Sequence, residues 1–393
     1  MAETTGYSVG TDTNNLVATY CVETAWGVIN TPADGKICRL NSEGFGKTKT
    51  RTRPSEITTA GQVSGAVTTG VSTKGDLKVS ISAGSHFDLL AASLMNVAET
   101  AATITAITIA ATGTGFTDSG NGFVTAGLVA GQWVRVTGFA GATVNGYYQL
   151  LTVAAGTVTT LPAPGATEAA TPSVTIAGQR VKNSNSFYSV FFEKKLGTSL
   201  YLTYPGSFPT GGSISANSGG YFEGSLSFIG KDEVKGTATV FSGTVTAANS
   251  NNIIDTVGGF GAIYRGTSLL AGTITKVDVN WSQSAREQRG MGSSATQGIG
   301  KGLIEAKGSI EMYFANFSLY DEAVSETGSM FSFRGLDASG NGYIITGGNV
   351  KLLNPKIVAG GPGQDVMASF ELEFNPTSTS SVFGGSTIQI DKV

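Results

Sequence analysis

The stretch KGDLKVSISAGSHFDLLAASL, Lys74–Leu94, decides the fold. Around its start, Val71, Thr73, Gly75, Leu77, Val79 and Ile81 alternate with Ser72, Lys74, Asp76, Lys78, Ser80 and Ser82. A period of two with one apolar side is that of a half-buried antiparallel strand. From Ser85 to Val97 the spacing turns helical, with Phe87, Leu90 and Leu94 on one side. Ser85 is placed to cap that helix, and Asp88 falls in its first turn, where the helix dipole favours an anion.

A second stretch, AKGSIEMYFANFSLYDEAV at Ala306–Val324, follows the same plan. Lys74 and Gly75 match Lys307 and Gly308; Leu77, Val79 and Ile81 match Ile310, Met312 and Phe314; Asp88 matches Asp321. Further on, NSFYSVFFEKKLGTSLYLTYPGSF…YFEGSLSFIG parallels GSMFSFRGLDASGNGYIITGGNV…VMASFELEFN, with Leu226 and Phe228 in the places of Leu372 and Phe374. The shared order is loop arm, amphipathic strand, short helix, aromatic hairpin and final alternating strand, which reads as an internal duplication.

Between Ala101 and Ala177 the only charged residues are Asp118, Arg135 and Glu168. Short strand-like runs separated by glycine-rich turns read as a small all-β domain inserted into the first copy. The expected organisation is an N-terminal arm (1–14), a discontinuous first domain (15–100 and 181–235), the insert (101–180), a second domain (236–376) and a C-terminal tail (377–393). The arm from Gly46 to Gly70 carries Lys47, Lys49, Arg51 and Arg53 alternating with threonines, so a strand would put the four cations on one side. Pro54 then stops regular pairing. A weaker echo runs from Arg286 to Gly300.

The totals narrow the function. Hydrophobic residues make up 40% and charged residues 13%, enough apolar material for sizeable cores, and the 55 glycines favour turns and strands over long helices. A net charge of −3 gives no general affinity for nucleic acid. No apolar run of about 20 residues predicts a membrane span, and the N-terminus lacks the pattern of a signal peptide. Cys21 and Cys38 read as reduced thiols, with a bridge between them left open. His86 is the single histidine, so Ser-His-Asp or Cys-His catalysis would have to run through it, and a packed or solvated side chain is the plainer reading. GFGKT at Gly44–Thr48 lacks the first glycine of a phosphate loop, Asn41 standing there. DSGNG at Asp118 and DASGNG at Asp337 lack the closing glutamate of a calcium loop and read as Asn-Gly hairpin turns. No catalytic residue, metal ligand or cofactor site emerges, and the chain reads as a non-enzyme. The basic strand has three readings: inter-subunit contact, a solvated edge that discourages wrong pairing, or phosphate contact.

The segment Leu16–Asn96 resembles the opening of the major tail tube proteins of long non-contractile-tailed bacteriophages, through its VETAWG box, RPSEI loop and GDLKVSIS…FDLL strand-helix. The resemblance covers both halves outside the insert, and implies a mainly β chain: two tandem β-sandwich or split-barrel tube domains, each with a short flanking helix. It implies a virion protein assembled in the host cytoplasm. Its subunits would form rings whose strands join into one inner barrel, stacked into a hollow tube for genome delivery. Six tube domains per ring predict a homotrimer of this duplicated chain. The implied partners are further copies of itself, tape-measure protein and phage DNA in the lumen, and tail tip and terminator proteins.

On this reading Lys47, Lys49, Arg51, Arg53, Glu56, Arg286 and Arg289 make inter-subunit or inter-ring contacts. Ser72, Asp76, Ser80, Glu305, Ser309 and Glu311 face the lumen, where small polar and acidic groups would not hold a polyanion. The N-terminal arm and the tail from Pro376 would brace neighbours, and the insert would decorate the exterior. The rival readings are another tube-like component, such as a tail terminator or secretion-tube protein, and an extracellular β-sandwich adhesin.

Overall fold

The computed structural model of the chain describes residues 10–57, 59, 61–170 and 173–393. The protein is mainly β, as its composition predicts. The first half opens with β1 (Leu16–Val22), β2 (Gly35–Ile37), β3 (Ser42–Glu43), β4 (Gly46–Thr52) and β5 (Val67–Ser80), followed by α1 (Phe87–Ser93). Seven strands come next: β6 (Ala102–Ala106), β7 (Ile109–Ala111), β8 (Gly115–Asp118), β9 (Trp133–Thr137), β10 (Gly146–Val153), β11 (Thr157–Leu161) and β12 (Val174–Lys182). The first half then resumes with β13 (Val190–Leu196), β14 (Leu200–Asn217), β15 (Phe222–Gly230), β16 (Val234–Gly236) and β17 (Val245–Thr246). The second half holds β18 (Phe260–Arg265), β19 (Ser268–Leu269), β20 (Ile274–Gln283), β21 (Arg286–Gln288), β22 (Gly298–Gly300) and β23 (Ile304–Tyr313). It ends with α2 (Ser318–Val324), β24 (Ser329–Leu336), β25 (Gly342–Ala359), β26 (Val366–Asn375) and β27 (Gln389–Lys392).

One central antiparallel sheet runs through both halves in the order β4–β5–β15–β14–β20–β23–β26–β25. The strands β14 and β25 are 18 residues long, and each serves two sheets. The later part of β14 lies in the central sheet, while its start pairs β13 and β16 in an outer sheet ordered β2–β1–β13–β14–β16. In the same way the start of β25 belongs to an outer sheet ordered β19–β18–β24–β25–β27. Neighbour order is therefore the same in the two halves for these strands, while β3 on β5 and β17 on β2 occur in the first half alone among the described residues. At the bend of β14, Gly206 adopts φ +66, a left-handed conformation that a side chain resists.

Alternation explains which faces are buried. Thr73, Gly75, Leu77 and Val79 of β5 are buried, while Lys74 and Lys78 are exposed. The apolar sides of β15, β20, β23 and β26 join them in one core. That core lies between the central and outer sheets: Phe192 of β13 meets Phe228 of β15 at 5.0 Å, and Phe333 of β24 meets Phe222 at 6.4 Å. Gly75 lets Phe45 lie against the strand, since a Cβ there would come within 2.4 Å of the ring.

The helix α1 is shorter than the spacing predicts. Ser85 does not cap it; the Ser85 hydroxyl bonds Ser82 Oγ and Asn249 Oδ1 instead, and His86 occupies the cap position without a side-chain bond to the helix. Leu94 ends the helix, and Met95 turns left-handed at φ +55. Of the expected N-terminal arm, residues 1–9 lie outside the described residues, and Asp12 caps a short turn at Thr13–Asn15. The C-terminal segment, expected to brace neighbours, is used within the chain. Ile388 and Ile390 are fully buried, and β27 pairs both β25 and β12. The STIQI alternation is the sequence signal of that strand.

The neutral stretch has its own hydrophobic core, which includes Phe116, Phe123, Val134, Val136, Leu150 and Ile176. Its sheet runs β7–β8–β11–β10–β9–β12–β6. A two-residue turn joins β6 to β7, so the sheet curls back toward its own beginning. The exit strand β12 then continues outward to pair β27 of the second half. The Asp118 loop is not the expected hairpin turn, because β8 and β9 do not pair. Its carboxylate instead accepts bonds from Thr108 Oγ1 and the Gly120 and Gly122 amides. The Asp337 loop does join the paired strands β24 and β25.

Candidate assembly site

The side of the central sheet turned away from the core carries polar rows that cross from half to half. Ser80, Glu223, Ser215, Asp278, Ser309 and Glu371 are successive cross-strand partners. Beside them run Lys78, Ser225, Ser213, Asn280, Lys307 and Glu373. Asp76 and Glu305 lie in a third row through Ser227, Gly211 and Ser282, and Glu311 in a fourth opposite Lys276. Five of the residues assigned to a lumen from sequence therefore share one face. Ser72 stands further out, opposite Thr48 in the β4–β5 hairpin.

The face is less acidic than expected. Lys78, Lys276, Lys307 and Lys351 stand on it among the carboxylates. Lys276 pairs with Asp278 at 2.8 Å and Lys307 with Glu305 at 2.7 Å. The adjacent carboxylates hold both ammonium groups above the usual lysine range. These solvent-facing pairs contribute little to stability, but they offset charge across the face. Strand alternation around Asp76 already placed Lys74 and Lys78 on this side; weighing the acids alone hid the balance.

Both margins of the sheet are open among the described residues. β4 pairs β5 on one side, and Lys351–Ala359 of β25 pairs β26 on one side. An unpaired margin presents a row of backbone donors and acceptors to another chain.

The basic strand lies on the β4 margin. Lys47 and Lys49 stand opposite Thr73 and Val71, on the core side of the sheet's alternation and not on the polar face. Lys47 pairs with Asp232 at 2.6 Å, and Arg51 Nη2 donates to the Ala66 carbonyl at 2.8 Å. Lys49 and Arg53 are exposed, and Glu56 accepts from Ser64 Oγ at 2.5 Å. In the second arm Arg286 is exposed. Arg289 pairs with Glu287 at 2.5 Å and donates to the Val71 carbonyl at 3.3 Å. Sequence reasoning did not foresee that the second arm reaches the first half.

Nothing in this arrangement gathers reactive groups. His86 is fully buried, its Nε2–H donating to the Arg39 carbonyl at 2.6 Å, and burial lowers its pKa. Cys21 and Cys38 are both free thiols, raised by burial to about 11 and about 12. Among the described residues no cluster of three or more His, Cys, Asp or Glu is placed to hold a metal, and no helix is long and apolar enough to cross a membrane.

Paired sheets with open margins and a continuous polar face define a class of structural β-sheet module. The comparison with known families agrees: a model described as phage tail tube protein matches residues 13–374. The chain belongs to the phage tail tube family and has a structural role in the virion tail. None of the curated proteins compared with the chain matches it.

Proposed function

We propose that this chain is a tandem duplication of one tube module, and that three copies close into a ring with pseudo-sixfold symmetry. One observation carries the reading: β14 of the first half pairs edge to edge with β20 of the second, Gly212 opposite Trp281 and Ser213 opposite Asn280. The two halves share one neighbour order, so β25 corresponds to β14 and β4 to β20. The open β25 margin is then the counterpart of the filled β14 margin, and the β4 of another copy fits it. Transferring the internal register puts Leu352 opposite Lys47 and Leu353 opposite Gly46 of the neighbouring copy. Closure removes both open margins at once.

In such a ring the polar rows face the channel. Rings stack into a hollow tube that holds tape-measure protein during assembly and conducts phage DNA during ejection, with terminator and tip proteins at its ends. Interspersed Lys and acid offer the DNA neither a strong attractive field nor a strong repulsive one, which suits a conduit. The Lys47–Arg53 strand lies at the subunit junction and not in the channel.

The test is electron microscopy of the purified chain at rising concentration. Rings with three chains, and then tubes, are expected. A species that stays monomeric at every concentration, or rings of six chains, would overturn the reading.

A further inference from the structure

The second arm makes a contact whose counterpart elsewhere in the chain is uncovered. It leans onto the first half, where the Val71 amide donates to the Ser294 carbonyl at 2.7 Å and Arg289 bonds the Val71 carbonyl. Gly70 clears the way, since a Cβ there would lie 2.1 Å from Arg289 Nη1. Within this arm Thr296 is only 2% exposed.

The residue spacing that matches Lys74 to Lys307 continues without a gap back through both arms' return strands. On it Val71 corresponds to Ile304, Gly70 to Leu303, and Val63 to Thr296. The two positions buried in the first half and second arm thus have apolar counterparts that lie open: Leu303 is 85% exposed and Val63 76%. The second arm leans on the half that precedes it. Among the described residues the first arm leans on no half in the corresponding way, and in a ring that place belongs to the second half of another copy. Edge closure brings the arm there: β4 joined to β25 starts with β25 and β26 between it and β23. In the same way β20 has β14 and β15 between it and β5.

We infer that the β4–β5 arm of each copy lies across the second half of the preceding copy and seats Val63 against Leu303. The arm is then a lateral clasp between neighbours within a ring, and the occupant of the Leu303 surface is a second copy of this chain. The inference rests on the ring reading proposed above.

Two cysteine pairs in the full chain separate the two ideas. Val63→Cys with Leu303→Cys reports the clasp; Gly46→Cys with Leu353→Cys reports edge closure, and Gly46 has open space where a Cβ would stand. After oxidation of assembled protein, both pairs are expected to give covalent dimers and trimers on a non-reducing denaturing gel. Cross-links at the edge pair alone would overturn the clasp and leave the ring standing. A bond within one chain at Val63/Leu303 would also overturn the clasp, and the absence of cross-links at both pairs would overturn clasp and ring together. Leu303→Asp gives an independent reading. The concentration needed for assembly should rise about tenfold with the monomer's Tm unchanged, and unaltered assembly would contradict the clasp.

Discussion

At the residue scale, half-buried polar groups fix the bends that the strands need. Glu23, in the VETAWG box, accepts from the Gly27 amide at 2.8 Å, the Gly206 amide at 2.7 Å and Ser189 Oγ at 2.5 Å. Burial raises its pKa, while these donors and Lys231 pull it back down. Trp26 Nε1 donates to the Gly206 carbonyl at 3.0 Å, and Lys231 sits 4.9 Å over the Trp26 ring. The box thus ties the end of β1 to the bend of β14. Glu23→Ala leaves two inward-facing amides without their acceptor and should cost about 2–4 kcal/mol in chemical denaturation; a loss below about 0.5 kcal/mol would contradict the assigned role. Asp391 offers a pH test. Fully buried, it accepts from the Trp133 amide and Gln389 Nε2, with Arg180 and Glu99 nearby. Desolvation is the largest influence and raises its pKa to about 8. An unfolded aspartate titrates near pH 3.9, so between that pH and about 8 the folded state holds a proton that the unfolded state has lost. Stability should fall as pH rises through this window, by at most about 1.4 kcal/mol per unit. The measurement is Tm against pH for the native chain and Asp391→Asn, and a flatter curve is expected for the variant.

At the element scale, the amphipathic strands were legible because alternation is local: Leu77, Val79, Ile310 and Met312 declare their face within a few residues. Pairing is not local. No pattern in β14 says that it will meet β20, some sixty residues on, and the lateral lean of β21–β22 depends on Gly70 being small, which is visible only once the two are side by side. The Ser85 cap failed for a similar reason, since the competing partner Asn249 is distant in sequence. The junction of halves is reinforced from the helix layer: Trp281 Nε1 donates to Ser93 Oγ at 3.0 Å, joining β20 to α1. Trp281→Phe keeps an aromatic ring but leaves the Ser93 hydroxyl without that donor and opens a small void, so a loss of about 1–3 kcal/mol is expected. Leu226→Ala, at the centre of β15 and 1% exposed, should cost about 2–5 kcal/mol. Both are read by denaturant midpoint.

At the scale of the whole molecule, the neutral stretch is bound to the second half of the chain. Trp133 Nε1 donates to Thr346 Oγ1 at 3.1 Å, Arg135 bonds Asn341 and the Ser339 carbonyl, and Tyr147 donates to the Gly340 carbonyl at 2.5 Å. Composition revealed the neutral stretch, but not this docking, which depends on β27 returning from the end of the chain. Deleting Ala101–Arg180 would strip β27 of a partner strand and expose Asp391, so the shortened chain should show a markedly lower Tm; an unchanged Tm would mark the insert as decoration without structural consequence. The proposed duplication and the proposed pore also belong to this scale, and both come down to one edge. A cryo-EM reconstruction of the assembled tube tests it directly. The account predicts three chains per ring, with β25 of one copy hydrogen-bonded to β4 of the next and Leu353 opposite Gly46. Six chains per ring, or neighbours that meet through any surface other than those two strand edges, would contradict it.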